Sequence, residues 1–254
     1  MMEQKILELI SKVDDLEAIS VVLVGSWARA QAHKHSDIDI LRLYPNEVKE
    51  KNEFKQLEGE YYSISNISKN ETEAWFTQPQ IAVDVIEGLK AAITLKDEND
   101  FFASIQNRAK TFVWNPALQK KADIWASKAL KGWVEEANKG LNGLLLNDIG
   151  RLLQARYGLS WGLSKVVQVS KGILVSGDNA SFDEINQAMK EHRNWVELRK
   201  KSFGISNNLN EAVAAGLLLF VETADLLEPT LRKEDQSTIN HCKNEIIKKL
   251  GKGK

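Results

Sequence analysis

The sequence predicts two structural parts: an α/β (α+β) N-terminal domain built on a mixed β-sheet, followed by an all-α helical bundle domain. Apolar runs and alternating β-forming stretches fill the first part of the chain. From about Leu89 long helical periodicity takes over, and only Pro116, Pro229 and scattered glycines interrupt it. We therefore expect the N-terminal domain to span 1–95 and the helical domain to span 96–254.

The elements of the N-terminal domain follow from the spacing of its apolar residues. Helical spacing from Ile6 to Val13 predicts an amphipathic helix, and apolar or alternating runs predict strands. The expected order is a helix over 3–16, a strand from Ile19, a short helix over 26–31, a strand opening at Asp37, a short helix or exposed connection over 47–58, a strand over 60–68, and strand segments at 75–76 and 81–86.

Seven helices are expected in the second part. Their limits follow the helical periodicity, a helix-start signal at Ser181 and Asp183, and the turn Gly177-Asp178-Asn179. The expected helices span 99–109, 117–138, 141–157, 162–175, 181–200, 208–227 and 231–249.

Charge, cysteine content and hydropathy narrow the function classes. The 34 basic and 35 acidic side chains nearly balance, which argues against a general nucleic-acid binder, because such proteins need a basic excess that releases counterions. The single cysteine, Cys242, excludes an internal disulfide and fits a reducing cytoplasm. No uncharged stretch approaches the ~20 residues that span a bilayer. We expect a soluble, cytoplasmic protein with no membrane or nucleic-acid partner.

The most informative stretch reads VVLVGSWARAQAHKHSDIDILRL and runs from Val21 to Leu43. An apolar run ends in Gly25-Ser26, ten residues follow, and Asp37-Ile-Asp39-Ile opens a second apolar run. In a strand Asp37 and Asp39 point to the same face, about 7 Å apart, and two carboxylates this close favour Mg²⁺ with oxygen ligands. Gly25 allows the backbone to approach a bulky anion, and Ser26 can open a helix whose N–H groups favour phosphate.

This pattern of hydrophobic-Gly-Ser, about ten residues, then Asp-hydrophobic-Asp-hydrophobic resembles the nucleotidyltransferase superfamily of the DNA polymerase β type. The GSWAR and SDIDI segments are similar to those of its small bacterial members, including the aminoglycoside adenylyltransferases and minimal nucleotidyltransferases. The residues that match are Gly25, Ser26, Ser36, Asp37 and Asp39. Members often carry Gly at the position of Ala30, so the turn there is expected to be tighter or shifted.

The resemblance implies a Mg²⁺-dependent nucleotidyltransferase that uses two Mg²⁺ ions and ATP or another nucleoside triphosphate. Asp37, Asp39 and a third acidic residue on a neighbouring strand would be the catalytic metal ligands. The best match for the third is Asp84, which interrupts the apolar run 80–87 and could also accept the proton of the attacking hydroxyl. Glu87, at the end of that run, is the competitor. The nucleotide-binding residues would be Gly25, Ser26, Arg29 and Ser36.

The helical domain would hold the acceptor, as the C-terminal domains of aminoglycoside adenylyltransferases do. Glu135 and Glu136, on the first long helix after the sheet, are candidates for a base or for binding a cationic acceptor, although an exposed acidic pair on a helix is the more common case. The expected reaction is adenylyl transfer from ATP to a hydroxyl of a small-molecule acceptor, with antibiotics among the candidates. The alternative is a catalytically degenerate or antitoxin-like module that acts on a protein partner.

Overall fold

The chain forms two compact units in a computed structural model that describes residue 8, residues 11–205 and residues 208–251. The first unit contains Met1–Trp114 together with Leu174–Ser181, and the second contains Asn115–Ile173 together with Phe182–Lys254. The division lies later in the chain than the boundary expected at residue 95. A short segment from the helical half of the sequence also belongs to the first unit.

The first unit is built on a mixed five-stranded sheet, which confirms the predicted fold class. Its strands are β1 (Ser20–Leu23), β2 (Ile38–Tyr44), β3 (Asn52–Leu57), β4 (Glu60–Ser68) and β5 (Ile93–Asp97). They are ordered β3-β4-β2-β1-β5; β2 is parallel to β4, and the other neighbouring pairs are antiparallel. The register between β2 and β4 sets Asp39 beside Ser63 and Leu41 beside Ser65.

Helices cover both faces of this sheet. The helices of the first unit are α1 (Gly25–Ala28), α2 (Ala74–Thr77), α3 (Pro79–Ala91) and α4 (Phe101–Lys110). On one face α3 and α4 pack their apolar residues against Leu41 and Leu43. Since Phe102 of α4 is fully buried in this core, the first unit continues past residue 95.

The opposite face packs against the N-terminal segment. Val13 joins Val21, Ile40 and Ile64 in a second core. Residues 11–13 are helical, in agreement with the amphipathic helix expected over 3–16. Residues 3–7, 9 and 10 of that helix lie outside the described residues.

The strand segments predicted at 75–76 and 81–86 are wrong, because both lie in helices. Pro79 is the first residue of α3, a position where the missing N–H is not needed. The buried residues Ala82, Ile86 and Leu89 then repeat at helical spacing. The short apolar run around Asp84 could be taken for a buried strand, since runs of this length fit either structure.

Two strands lie where none was expected. The charged run 47–58 contains β3, an edge strand whose residues are mostly exposed. Charged side chains are typical of edge strands, where they discourage pairing with another chain. The other strand, β5, is five residues long and directly follows α3, so the helical pattern on both sides obscured it.

Among the described residues, the regular elements of the second unit are all helices, as predicted. Its helices are α5 (Pro116–Gly132), α6 (Val134–Leu146), α7 (Ile149–Ser170), α9 (Arg193–Ser202), α10 (Leu209–Leu227) and α11 (Lys233–Leu250), and α8 (Asp178–Ala188) begins in the first unit and continues into the second. The central helices are α7 and α10, which pack against each other and against α6. Within the described residues, no helix combines the length and apolar character needed to cross a membrane.

Several helix limits differ from those expected. The single helix α7 replaces two predicted segments, because Gly158 and Gly162 do not end it but leave room for neighbouring side chains. A Cβ at Gly158 would lie 2.7 Å from Cγ of Glu136, and one at Gly162 would lie 2.1 Å from the ring of Trp133. Conversely, the helix predicted over 117–138 divides at Trp133 into α5 and α6.

Candidate active site

A pocket of about 650 Å³ opens on the sheet face that carries Asp39. Its walls come from the Gly25 turn, β2, β4, α3 and the segment 176–179, all within the first unit. Every predicted catalytic and nucleotide-binding residue lines it. These residues are Gly25, Ser26, Arg29, Ser36, Asp37, Asp39 and Asp84.

The two aspartates of the Asp-x-Asp motif stand at the start of β2. Ile38 and Ile40 are 5% and 1% exposed and point into the core, so the intervening aspartates face the pocket, as the alternation predicts. The Asp39 carboxylate is half-buried, and its backbone carbonyl accepts a hydrogen bond from the N–H of Val24 at 2.9 Å. This bond joins the end of β1 to the motif.

The electrostatics at Asp39 disfavour a bare negative charge. Burial is the largest cause that raises the pKa of Asp39, to about 6, and the negative charges of Asp37 and Asp178 act in the same direction. Arg29 acts in the opposite direction. A carboxylate in such surroundings is stabilised by a cation placed next to it.

Gly25 is required for the close approach of the turn to Asp39. Its φ is +68°, and a Cβ there would lie 1.9 Å from Oδ2 of Asp39. Since no side chain fits in that space, the glycine lets the turn backbone lie directly against the carboxylate.

The rest of the turn holds the other predicted nucleotide-binding residues. The helix α1 is only four residues long, shorter than the helix expected over 26–31, so Ser26 contributes a hydroxyl and backbone groups rather than a long helix dipole. Arg29 donates from Nε to Oε1 of Gln31 at 3.1 Å. The Ser36 hydroxyl accepts a hydrogen bond from the His33 backbone at 2.9 Å, so it also stabilises its own turn.

Ala30 adopts the backbone conformation that favours glycine. Its φ is +55°, in the left-handed region, and the next residue, Gln31, donates from its N–H to the carbonyl of Ser26 at 2.9 Å. Alanine at this position is therefore held in a strained backbone conformation.

The donor set fits a divalent cation that prefers oxygen. Carboxylates and serine hydroxyls make up most of the polar side chains that line the pocket. Among the described residues, no three His, Cys, Asp or Glu side chains are grouped closely enough to hold a metal ion alone. Mg²⁺ is commonly bound by one or two carboxylates together with substrate phosphates, so the pair Asp37 and Asp39 matches a cation that enters with a nucleotide.

Comparisons with known proteins identify the first unit. Residues 5–108 match the family model described as "Nucleotidyltransferase domain". This part of the chain is a nucleotidyltransferase domain of the DNA polymerase β type. A nucleotidyltransferase-like protein from Exiguobacterium sibiricum 255-15 shares the fold, with a TM-score of 0.51 at 11% identity over 98% of this chain and 80% of that one. No protein in a search of curated proteins matches the sequence.

The residue predicted as the third acid does not lie on a strand. Asp84 lies on α3 rather than on a strand, although it is exposed and lines the pocket. The strand beside β2 is β4, and its residues on the Asp39 face are Ser63 and Ser65. The neighbouring strand of this site therefore carries hydroxyls. The role of Asp84 as a third metal ligand stays a prediction.

Asp178 is the charged pocket residue that the sequence analysis does not identify. It lies in the segment 176–179, where the sequence predicts only the turn Gly177-Asp178-Asn179. Nothing in the sequence places this turn next to Asp39, because more than a hundred residues separate them. The Gly-Asp-Asn composition was the available signal, and it is also typical of ordinary turns.

The predicted acceptor residues lie on α6 in the second unit. Glu135 is exposed, and its carboxylate lies 2.9 Å from Nζ of Lys139. Glu136 is mostly buried, and its Oε1 accepts a hydrogen bond from the same Lys139 at 2.7 Å, while its stem packs against Gly158. Both contacts are those of an intrahelical ion pair. Binding of an acceptor by these residues stays a prediction.

Proposed function

We propose that this chain transfers a nucleoside monophosphate, AMP from ATP, to a hydroxyl group of a small-molecule acceptor. The observation that carries the proposal is the pair Asp37 and Asp39 facing the Gly25 turn in one pocket of a nucleotidyltransferase domain. Acidic pairs next to a close backbone approach favour a nucleotide whose phosphates are bound through Mg²⁺.

The residues of the pocket would share the work of positioning and charge stabilisation. Gly25 and Ser26 would hold the phosphates through backbone groups and a hydroxyl, and Arg29 would pair with phosphate oxygens as the guanidinium of the pocket. Asp37 and Asp39 would hold the Mg²⁺ ions, two in the proposed mechanism. When bound, these ions neutralise phosphate charge and make the acceptor hydroxyl more acidic.

Asp84 is the candidate proton acceptor. In the proposed reaction the acceptor oxygen forms a bond to the α-phosphorus, the bond from that phosphorus to the bridging oxygen breaks, and pyrophosphate leaves. The proton of the hydroxyl passes to a carboxylate or to water, and Asp84 is exposed on the pocket wall opposite the sheet. Most of the rate enhancement would come from holding the reacting groups in place.

The charge of the pocket supports an acceptor that carries positive charge. Asp37, Asp39, Asp84 and Asp178 line it against the single guanidinium of Arg29, a formal charge of −3 with His35 neutral. A cleft lined mainly by one sign of charge concentrates ligands of the opposite sign. Aminoglycosides, which are polycationic, and lincosamides are therefore the first acceptors to test.

The test has a binding arm and a turnover arm. ATP together with MgCl₂ should raise the Tm of the wild-type protein, whereas ATP alone or MgCl₂ alone should not, because the cation and the phosphates bind as one unit. Pyrophosphate release is then measured over the acceptor panel, with Asp39→Asn as the inactive control. A protein whose Tm responds to none of the four nucleoside triphosphates with Mg²⁺ contradicts the proposal.

A second candidate is a catalytically degenerate or antitoxin-like module that acts on a protein partner. The serines on β4 and the lack of a three-ligand group among the described residues favour it. The two candidates differ in one measurement. Stabilisation by nucleotide that requires Mg²⁺ favours the enzyme, and a Tm unaffected by nucleotide favours the module.

A further inference from the structure

The strand β4, next to β2, carries no acidic side chain on the pocket face beside Asp37 and Asp39. Ser63 is the register partner of Asp39, and Ser65 is the partner of Leu41. Both serines line the pocket, so their side chains share the face on which Asp39 stands. Any further carboxylate near a cation held by Asp37 and Asp39 would therefore come from another wall of the pocket.

The segment Leu174–Ser181 forms that wall and is tied to the first unit. The N–H of Val175 donates to the carbonyl of Val83 on α3 at 2.9 Å, and Leu174 packs against the core beneath α3. Residues 5–108 match the family model, so this segment lies outside the matched region. It is a part of the pocket that the family pattern does not supply.

The backbone of this segment lies directly against Arg29. A Cβ at Gly177 would lie 2.8 Å from Nη2 of Arg29, so the absence of a side chain lets the guanidinium rest on the glycine. Hydrogen bonds fix the next residues, since the N–H groups of Ala180 and Ser181 donate to the carbonyl of Gly177 at 3.1 and 3.0 Å. Asp178 lies inside this hydrogen-bonded turn, between Gly177 and Ala180, so its backbone position is fixed.

Asp178 lines the same pocket as Asp37 and Asp39. It is close enough to Asp39 that its negative charge is one of the causes that raise the pKa of Asp39, together with the charge of Asp37. Asp37 and Asp178 therefore both act on Asp39. In the described part of the chain no three His, Cys, Asp or Glu side chains are grouped closely enough to hold an ion together. A contact of Asp178 with the water shell of the ion fits this arrangement better than direct ligation.

We propose that Asp178 is a positioning residue of this site, which binds the water shell of a divalent cation held by Asp37 and Asp39. Mg²⁺ keeps several of its waters in protein sites, and a carboxylate that accepts hydrogen bonds from such waters orients the ion. Asp178 thereby takes the part of the acid that β4 lacks. This inference rests on the proposed function, because it requires that the pocket binds a metal and a nucleotide.

The test measures metal affinity rather than turnover. Mn²⁺ binding is followed by electron paramagnetic resonance in the presence of the non-hydrolysable α,β-methylene analogue of ATP. We expect Asp178→Asn to raise the Kd for Mn²⁺ about 10-fold, since loss of an outer-shell partner commonly weakens metal sites by 10–100-fold. Asp178→Glu should recover most of the loss, which a purely structural role would not explain.

Two further variants make the result specific. Asn179→Ala changes an uncharged residue on the same segment and pocket wall, and it should leave the Kd within about twofold. Asp84→Asn removes a carboxylate from the other wall. It should change the Kd less than Asp178→Asn, in contrast to the prediction that Asp84 is the third direct ligand. An equal loss with Asn179→Ala, a larger loss with Asp84→Asn, or an unchanged Kd in a folded Asp178→Asn protein would each overturn the inference.

The wild-type protein separates this inference from the proposed function. If wild type binds Mn²⁺ with the analogue and the Asp178→Asn protein binds it equally well, only the role of Asp178 is refuted. If wild type binds no Mn²⁺ with the analogue, the proposed function fails, and the role of Asp178 fails with it.

Discussion

Replacing Asp39 by asparagine should stabilise the metal-free protein while removing its response to Mg²⁺. The folded-state pKa of Asp39 is raised to about 6 from an ordinary value of 3.8. For a carboxyl group, a folded pKa above the unfolded one means that ionisation destabilises the fold. This loss in the free energy of unfolding is fully present above about pH 6 and disappears as the pH falls below 3.8. The neutral asparagine has no such loss at any pH.

The magnitude follows from the size of the shift. A change of about two pKa units corresponds to about 3 kcal/mol at 1.36 kcal/mol per unit. Because Asp39 is only half-buried, solvent screening reduces this to about 1–2 kcal/mol. For a chain of this size each kcal/mol shifts Tm by about 2–4 °C, so the Asp39→Asn protein should melt about 2–8 °C higher than wild type at pH 7.5.

The assay is thermal unfolding at pH 7.5 and pH 4.5, with EDTA or with MgCl₂ and ATP. In EDTA the advantage of Asp39→Asn should be largest at pH 7.5 and shrink at pH 4.5. With Mg²⁺ and ATP the order should reverse, because only wild type gains the binding free energy, about 2.7 kcal/mol at a ligand concentration of 100 Kd. Glu135→Gln, an exposed carboxylate on α6, is the control and should change Tm by less than about 1 °C.

Two outcomes would refute this reasoning. A metal-free Asp39→Asn protein that melts at or below the wild-type Tm at pH 7.5 means that the carboxylate is not repelled in the fold. A Tm advantage that grows on acidification has the wrong sign for a raised carboxyl pKa.

Three further predictions concern the turn and the second unit. Gly25→Ala should destabilise the fold by about 2 kcal/mol or more and abolish the Tm shift caused by Mg²⁺ and ATP, because its Cβ would lie 1.9 Å from Oδ2 of Asp39 and its φ is +68°. Gly88→Ala is the control, because a Cβ there meets no neighbouring side chain within 4 Å. Urea unfolding measures the stability of both variants. Ala30→Gly should stabilise the protein by less than about 1 kcal/mol by the same measurement, since relief of left-handed strain exceeds the added flexibility of the unfolded chain, and a loss of stability contradicts it. Cys242 is 2% exposed and burial raises its pKa to about 12, so a thiol reagent at pH 8 should label it at least about 100-fold more slowly than free cysteine until urea unfolds the second unit.

The sequence was sufficient wherever a residue's role follows from local spacing. Alternation alone set Asp37 and Asp39 on one face with Ile38 and Ile40 in the core, and the structure agrees. The same alternation predicted β4 correctly. Such patterns succeed because the two-residue repeat of a strand is a property of the backbone.

Prediction failed where two structures share one pattern. The apolar run that contains Asp84 is too short for its period to distinguish a buried strand from a helix. The signal for a helix was Pro79 followed by Ala82, Ile86 and Leu89 at helical spacing. This spacing becomes visible only when all thirteen residues of α3 are considered together. The charged β3 could not be recognised from its own residues, since an edge strand is defined by its neighbour in the sheet.

The role of Asp178 could not be read from the sequence, because it depends on a contact across the chain. The link between Val175 and Val83 brings a turn of the helical half against α3, and no local rule encodes that pairing. A family pattern also directs attention to a neighbouring strand, where this chain has serine. The chain has Ser63 at the position on β4 where the family pattern expects an acid, and the fold places another acid, Asp178, on the pocket wall. The question is therefore whether Asp178 replaces the acid that is absent from β4.

That question has a direct test, in which the acid is moved back to the sheet. Ser63→Asp places a carboxylate beside Asp39 on β4, where like charges side by side should destabilise the metal-free fold by up to about 1 kcal/mol. In the Asp178→Asn background the same change should restore Mn²⁺ affinity to within about threefold of wild type, because a carboxylate again faces the cation. Ser65→Asp, one step farther along β4 beside Leu41, should restore less. If the Ser63→Asp, Asp178→Asn protein folds but binds Mn²⁺ no better than Asp178→Asn alone, the two positions do not serve the same ion.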